Sequence, residues 1–156
     1  SLDNDEKTTY LTLKHIGQTF DFNNQYNDES NFKSEIDFNI DYTKDQIAFI
    51  MVSGYDPELI DIINSFYETN KDIKIFVINT SDKDNEKIAD ELKAPLASIM
   101  NKIPKFLDSG ELGNYPSVLF VQDSIITGIY SNFDTLDNLN SAKELFLGTE
   151  SIAVTK

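Results

Sequence analysis

The chain contains no cysteine among its 156 residues. Disulfides, mixed disulfides and thiolate nucleophiles all need a cysteine sulfur, so thiol and disulfide chemistry are excluded for the whole chain. The same absence suits an exported protein, which avoids adventitious disulfides in an oxidising compartment, although a cytosolic protein can also lack cysteine by chance. Any function that depends on a sulfur nucleophile is therefore ruled out.

Arginine is also absent, and all 13 basic residues are lysines. They stand against 27 acidic residues, which gives a formal net charge of −14. An acidic surface repels phosphate backbones and anionic lipid, so nucleic acid and membrane surfaces are disfavoured as partners. Cationic partners, or solubility alone, are the expected uses of this charge.

Long apolar runs are missing as well. No stretch approaches the roughly 20 apolar residues that a membrane-spanning helix needs. The segment 1–6 lacks the basic and apolar regions of a signal peptide, so we expect no membrane insertion by this chain. A first residue other than methionine is compatible with a trimmed or truncated precursor.

Arrangements of residues that would bind a metal or carry catalysis are sparse. The single histidine, His15, lies in a predicted N-terminal strand, far in sequence from any partner for a catalytic triad. The spacing of Asp82, Asp84 and Glu86 is similar to that of a calcium loop, but the glycine turn and terminal Glu of an EF-hand are not in register. A strand-to-helix cap is the better interpretation. No glycine-rich phosphate loop is present, and we predict no cofactor, no metal site and no catalytic residue.

Hydrophobic periodicity predicts alternating strands and helices. Strands are predicted at 10–16, 47–52 and 73–78, a hairpin over 114–130, and helices near 57–68, 85–92 and 136–147. Pro95 and Pro104 interrupt the stretch 96–107, for which we predict a short extra helix and a loop. Apolar residues within 21–44 could line a short helix and a strand, whose boundaries stay open. The chain is thus predicted to be a single domain over 10–148, with tails at 1–9 and 149–156.

Between the strand at 47–52 and the next helix, the chain reads Tyr55-Asp56-Pro57-Glu58. This tetrapeptide is a good helix start in any fold. Asp is a favoured N-cap, Pro suits the first helical position, and Glu complements the positive end of the helix dipole. A second proline motif, Tyr115-Pro116, stands just before the predicted hairpin.

The strand, short loop and proline-containing helix start resemble the active-site region of thioredoxin-like proteins, in which the loop reads Cys-X-X-Cys. By this resemblance Tyr55 and Glu58 stand where the family has its cysteines, and Pro116 stands where the family has a cis proline facing that loop. The implied fold class is α/β, with a thioredoxin-like central mixed β-sheet flanked by helices and an N-terminal extension. A flavodoxin-like doubly wound sheet is the main rival, but it would place a parallel strand where this sequence has a hairpin.

The resemblance implies a redox-inactive thioredoxin-like protein. Within the superfamily, the long N-terminal segment and the composition look most similar to bacteriocin-transport accessory proteins. In the family's groove, the helix start and the residue before the cis proline present backbone groups to an extended peptide, and Tyr55 and Tyr115 would add aromatic walls here.

We therefore expect an accessory protein of a bacterium that binds a protein or an extended peptide. Its expected place is an export or envelope complex outside the cytoplasm, and no enzyme activity is expected. Two alternatives stay open, which are an enzyme with non-thiol chemistry on this scaffold and an acidic structural module with low-affinity calcium binding. An enzyme would bury Glu58 or Asp56 beside a polar partner.

Overall fold

The computed structural model describes residues 17, 32–33, 45–81, 83–99 and 115–148. Its strands are β1 (Phe32–Lys33), β2 (Gln46–Val52), β3 (Lys74–Asn79), β4 (Leu96–Ile99), β5 (Ser117–Gln122) and β6 (Ile125–Ser131). Its helices are α1 (Pro57–Thr69), α2 (Asn85–Glu91) and α3 (Leu136–Leu147). No helix in the described part of the chain combines the length and the apolarity needed to cross a membrane.

The strands form one mixed sheet in the order β1-β4-β3-β2-β5-β6. Strands β2, β3 and β4 run parallel, while β5 is antiparallel to β2, β6 to β5 and β1 to β4. The parallel neighbours β2 and β3 are joined through α1, since parallel strands need a crossover. The turn between β5 and β6 has positive φ at both Asp123 (53°) and Ser124 (64°), as a type I′ hairpin requires. The predicted mixed sheet and its hairpin are confirmed.

The central strand β2 is buried on both faces, and residues 47–52 are at most 1% exposed. A strand of this kind needs apolar residues throughout rather than in alternation, which explains its continuous apolar sequence. On one face, Ile50 belongs to the same hydrophobic cluster as Phe66 of α1. On the other face, the ring of Phe49 stacks on Phe76 of β3 with centroids 5.8 Å apart. The loop that follows β2 therefore leaves from a strand held on both sides.

Helices α1 and α3 bury their apolar sides against the same face of the sheet. They are also joined by a polar contact. The Nδ2 of Asn70, which ends α1, donates to Phe66 O at 2.9 Å and to Asn140 Oδ1 of α3 at 3.0 Å. Helix α3 begins after Thr135, whose Oγ1 accepts from Asn138 N at 3.1 Å. The predicted bounds of these two helices are confirmed to within one residue.

The predicted extra helix is wrong where the structure describes it. Residues 96–99 form β4, which pairs with β3 so that Leu96 lies beside Val77. The Val77 N–H donates to Pro95 O at 2.9 Å, so the edge of β3 is occupied from the proline onward. A four-residue segment has little helical preference of its own and gains more from pairing with that edge. The predicted strand at 10–16, the region 21–44 apart from β1, residues 100–107 and both tails lie outside the described residues.

Candidate functional site

Three segments meet at the end of the sheet where β2 and β3 finish and β5 begins. Val52 lies beside Asn79 of β3, and Met51 lies opposite Ser117 of β5. The loop after β2 and the two residues before β5 therefore lie at the same end of the sheet, which we call the site end. The predicted site residues placed at this end are Tyr55, Asp56, Pro57, Glu58, Tyr115 and Pro116.

The residues that start α1 serve as a helix cap. Asp56 is the N-cap, and its Oδ1 accepts from Glu58 N at 3.0 Å and from Leu59 N at 3.5 Å. Pro57 is the first residue of the helix, and Glu58 adds negative charge to its first turn. Asp56, Pro57 and Glu58 are all exposed. Neither carboxylate is buried beside a polar partner, so the environment that the enzyme alternative needs is absent at these two residues.

Tyr55 differs from these three because its side chain is half-buried and tied to α2. Its hydroxyl donates to the Glu91 carboxylate, with the phenol oxygen 2.7 Å from Oε2 and 2.9 Å from Oε1. The Lys87 ammonium lies over the ring, 4.3 Å from its centroid. The ring also packs against the main hydrophobic cluster. Tyr55 is therefore held in one orientation, and these contacts leave part of its ring uncovered.

The electrostatic surroundings favour the neutral phenol. The hydrogen bond to Glu91 is the main cause that raises the pKa of Tyr55 above its ordinary 10.0, followed by burial and by the charges of Glu91, Asp61 and Asp56. Because the folded-state pKa is raised, this contribution to stability is present below pH 10 and is lost as the pH rises through the folded-state pKa.

Glu91→Gln should move the titration of Tyr55 back toward its ordinary value, because the glutamine keeps the size of the side chain and removes its charge. The measurement is the ultraviolet absorbance of tyrosinate, with the curve of the matching Tyr55→Phe protein subtracted to isolate this residue. Glu86→Gln on the same helix is the control and should leave the titration unchanged. Equal shifts in both variants would contradict a specific Tyr55–Glu91 contact.

Asn79 organises the site end, although the sequence indicated it only as the first residue after the strand predicted at 73–78. Its side chain is fully buried. The Oδ1 accepts from the N–H groups of Gly54 and Ser81, each at 3.1 Å. The Nδ2 donates to Lys83 O at 2.9 Å and to Asn85 Oδ1 at 2.8 Å. One amide thus joins the loop after β2 to the loop after β3. The only signal in the sequence is an Asn that follows a buried apolar run and precedes a polar loop.

The same residue begins the sequon Asn79-Thr80-Ser81, a potential glycosylation acceptor. In the fold its Nδ2 is buried and bonded to two acceptors. Thr80 is also engaged, because both its N–H and its Oγ1 donate to Val52 O, at 2.8 and 2.9 Å. The folded protein therefore does not present this amide for modification.

The structure differs from the predicted helix cap at Asp84. It stands at the N-cap position of α2 with φ of 67°, but its side chain makes no capping hydrogen bond. Its Oδ2 instead accepts from Tyr55 N at 3.4 Å. The Asp84 carboxylate therefore binds the backbone N–H of Tyr55 in the loop after β2 and does not cap α2. Among the described residues, no group of three or more His, Asp or Glu side chains converges as a metal site would.

Tyr115 and Pro116 form the opposite side of the site end. The peptide bond between them is cis, as predicted, and both residues are half-buried. The carbonyl of Pro116 accepts from Asn132 N at 2.7 Å and from Phe133 N at 3.3 Å. These bonds join the start of β5 to the segment that follows β6. The role of Tyr115 as an aromatic wall remains a prediction.

No protein-family model and no curated protein matches the chain. Solved structures do match. A thioredoxin-like protein solved in its oxidised form is 10% identical with a TM-score of 0.55, over 80% of this chain and 91% of that one. The thiol:disulfide interchange protein DsbE from Chlorobium tepidum is 10% identical with a TM-score of 0.52, over 69% and 82%. StoA from Bacillus subtilis is 13% identical with a TM-score of 0.49, over 65% and 84%.

At these identities the likeness concerns the fold alone. It agrees with the sheet described above, so the chain has a thioredoxin-like fold and that prediction is confirmed. The chemistry of a thiol:disulfide interchange protein does not follow, because this chain has no cysteine.

Proposed function

We propose that this chain is a redox-inactive thioredoxin-like protein that binds an extended segment of another polypeptide at the site end. The observation that carries the proposal is the placement of Tyr55 and Tyr115. They come from distant parts of the sequence, yet both stand half-buried at one end of the sheet. Tyrosine supplies a large apolar body with a polar tip and is enriched in protein interfaces.

The contacts of Tyr55 favour binding in a second way. Glu91 holds its hydroxyl and Lys87 covers part of its ring, so the side chain is already ordered before a partner arrives. Ordering a side chain on binding costs roughly 0.5–1.5 kcal/mol, and a preorganised residue avoids most of that cost. A partner would contact the remaining half-open surface of Tyr55 together with Tyr115.

The alternatives find less support at this site. An enzyme with non-thiol chemistry would use Asp56 or Glu58, but Asp56 is occupied as a helix cap and Glu58 is exposed. Weak calcium binding by the acidic surface has no converging set of ligands in the described ranges. Neither alternative is favoured by a specific contact of the structure.

The proposal includes an extracytoplasmic location, in an accessory role in export or in an envelope complex. Bacteriocin-transport accessory proteins are one kind of protein with such a role. The support is the complete lack of cysteine, which suits an oxidising compartment where stray thiols would pair.

The test is a selection of peptides from a random library displayed on phage, followed by titration of the best synthetic peptide. Tyr55→Ala and Tyr115→Ala should each weaken its binding by about 1 kcal/mol or more, roughly fivefold, because each removes an aromatic anchor. Glu58→Gln should change the affinity by less than about twofold, because an exposed charge contributes little. Fluorescence anisotropy with a labelled peptide measures all of these affinities.

Tyr67→Ala is the matched control. Tyr67 is also half-buried beneath a lysine, with Lys71 Nζ 3.6 Å from its ring centroid, but it lies in the last turn of α1. Its truncation should leave the affinity unchanged. The proposal fails if no peptide is selected. It also fails if Glu58→Gln abolishes binding while both tyrosine variants are silent, an outcome that would favour the enzyme alternative.

A further inference from the structure

Among the described residues, the acidic side chains around the site end form no ion pairs with lysines. The described carboxylates at or beside this end are those of Asp56, Glu58, Asp61, Asp84, Glu91 and Asp134. Those with hydrogen bonds accept them from neutral groups, which are backbone N–H groups for Asp56 and Asp84, the Tyr55 hydroxyl for Glu91 and the Asn138 side-chain amide for Asp134. Within the described ranges, none of these carboxylates forms an ion pair with a lysine.

The acids that are paired lie elsewhere. Lys74 contacts Asp45 at 2.8 Å, at the start of β3 and just before β2. Lys143 contacts Asp72 at 2.8 Å and Lys93 contacts Glu68 at 2.9 Å. Hydrogen bonds from these lysines hold the pKa values of Asp72 and Glu68 below their usual range. In the described ranges, the lysines that form ion pairs therefore lie away from the site end.

Among the described residues, the lysines near the site end are Lys83 and Lys87, and the carboxylates outnumber them. Lys87 is engaged with the ring of Tyr55. Unpaired like charges close together repel one another and create a negative potential over the surface between them. Asp134 extends this charge to the Pro116 side, because its neighbour Phe133 donates its N–H to Pro116 O. Negative charge therefore borders the tyrosines on both sides.

We infer that the polypeptide segment bound at the site end is cationic, with lysine or arginine side chains that pair with Glu58, Asp61 and Asp134 while its apolar atoms cover Tyr55 and Tyr115. This inference rests on the proposed function and names the class of its partner. A cationic segment would relieve the repulsion among these carboxylates, whereas an anionic one would add to it.

The test uses the tightest peptide from the phage selection in three synthetic forms, with lysine, glutamine or glutamate at each of its polar positions. The lysine form should bind at least tenfold more tightly than the glutamine form at about 10 mM salt, and the glutamate form more weakly than either. The advantage of the lysine form should shrink at about 150 mM salt, where the screening length falls from roughly 30 Å to roughly 8 Å.

Two variants that each remove two negative charges test whether the preference for lysine arises at the site end. Glu58→Gln/Asp61→Asn should reduce the ratio of lysine-form to glutamine-form affinity at least threefold. Asp123→Asn/Glu144→Gln removes the same charge at the hairpin and at the last turn of α3, so it should leave the ratio unchanged. Equal effects of the two variants, or equal affinities of the lysine and glutamine forms, would overturn the inference while the proposed function stands. If none of the three forms binds, the proposed function itself fails.

Discussion

Asn79→Ala is expected to lower the free energy of unfolding by about 2–4 kcal/mol, because each buried polar group left without a partner costs roughly 1–3 kcal/mol. The substitution takes acceptors away from Gly54 N and Ser81 N and donors away from Lys83 O and Asn85 Oδ1. The total stays below the sum because water reaches some of these groups once the loops relax. Urea unfolding followed by circular dichroism measures the change.

Asn64→Ala is the matched control for this prediction. Asn64 also bridges two segments, since its Nδ2 donates to Glu91 O at 2.9 Å and its Oδ1 accepts from Lys93 N at 2.8 Å. It is only half-buried, so water can replace both bonds and the expected cost is about 1 kcal/mol. Hydrogen exchange adds a local readout, because the amides of Gly54 and Ser81 should lose protection in Asn79→Ala. A cost no larger than that of Asn64→Ala would show that Asn79 does not organise the site end.

The contrast between β2 and β4 shows how far the sequence predicts this fold. Strand β2 is predictable because its continuous apolar run leaves no other arrangement that buries it on both faces. Helix α1 is equally clear from its cap, its first-turn proline and its apolar spacing. Strand β4 has no such local signal. Its four residues form a strand because β3 offers an open edge beside them, and that edge exists only in the folded sheet.

The residues of the site end also differ in how well the sequence predicts their contacts. The helix start at Asp56, Pro57 and Glu58 is a local feature, and local rules predict it in full. Local rules do not predict the hydrogen-bond partners of Asn79 and Asp84. Asn79 bonds to Gly54, which is 25 residues away in sequence, and Asp84 bonds to Tyr55, which is 29 residues away. Bonds of this kind depend on which strands become neighbours, and no short-range pattern encodes them.

The helix-start residues and Tyr55 differ in what explains their presence. Because capping accounts for Asp56 and Pro57, and exposure leaves Glu58 free of constraint, these residues need no function to explain them. Tyr55 is not explained by the helix start, since its hydroxyl and ring are engaged by α2 rather than by α1. A large aromatic residue held in one orientation suits the peptide-binding surface that we propose.

Gly128→Val is expected to lower the free energy of unfolding by about 3 kcal/mol, because overpacking a core commonly costs 1–3 kcal/mol and occasionally more. A Cβ at Gly128 would lie 2.0–2.4 Å from the ring atoms Cγ, Cδ1 and Cδ2 of Phe146. That ring lies over the glycine and packs beside Phe120, the strand partner of Gly128, with centroids 5.9 Å apart. Helix α3 can therefore pack against this part of the sheet because Gly128 has no side chain. Urea unfolding again gives the measurement.

A double-mutant cycle separates this clash from an intrinsic preference for glycine in the strand. Phe146→Ala removes the ring, so in the Gly128→Val/Phe146→Ala protein the valine fills space that the ring vacated. The combined cost should fall short of the sum of the single costs by at least about 1 kcal/mol, as expected for residues in direct contact. Thr127→Val keeps the β-branched shape in the same strand, so it is the control for a change in β6 away from Phe146. It should cost less than about 1 kcal/mol because it loses only the long 3.4 Å hydrogen bond to Phe120 O. Strict additivity of Gly128→Val and Phe146→Ala would place the cost in the backbone of β6 and not in the packing of α3.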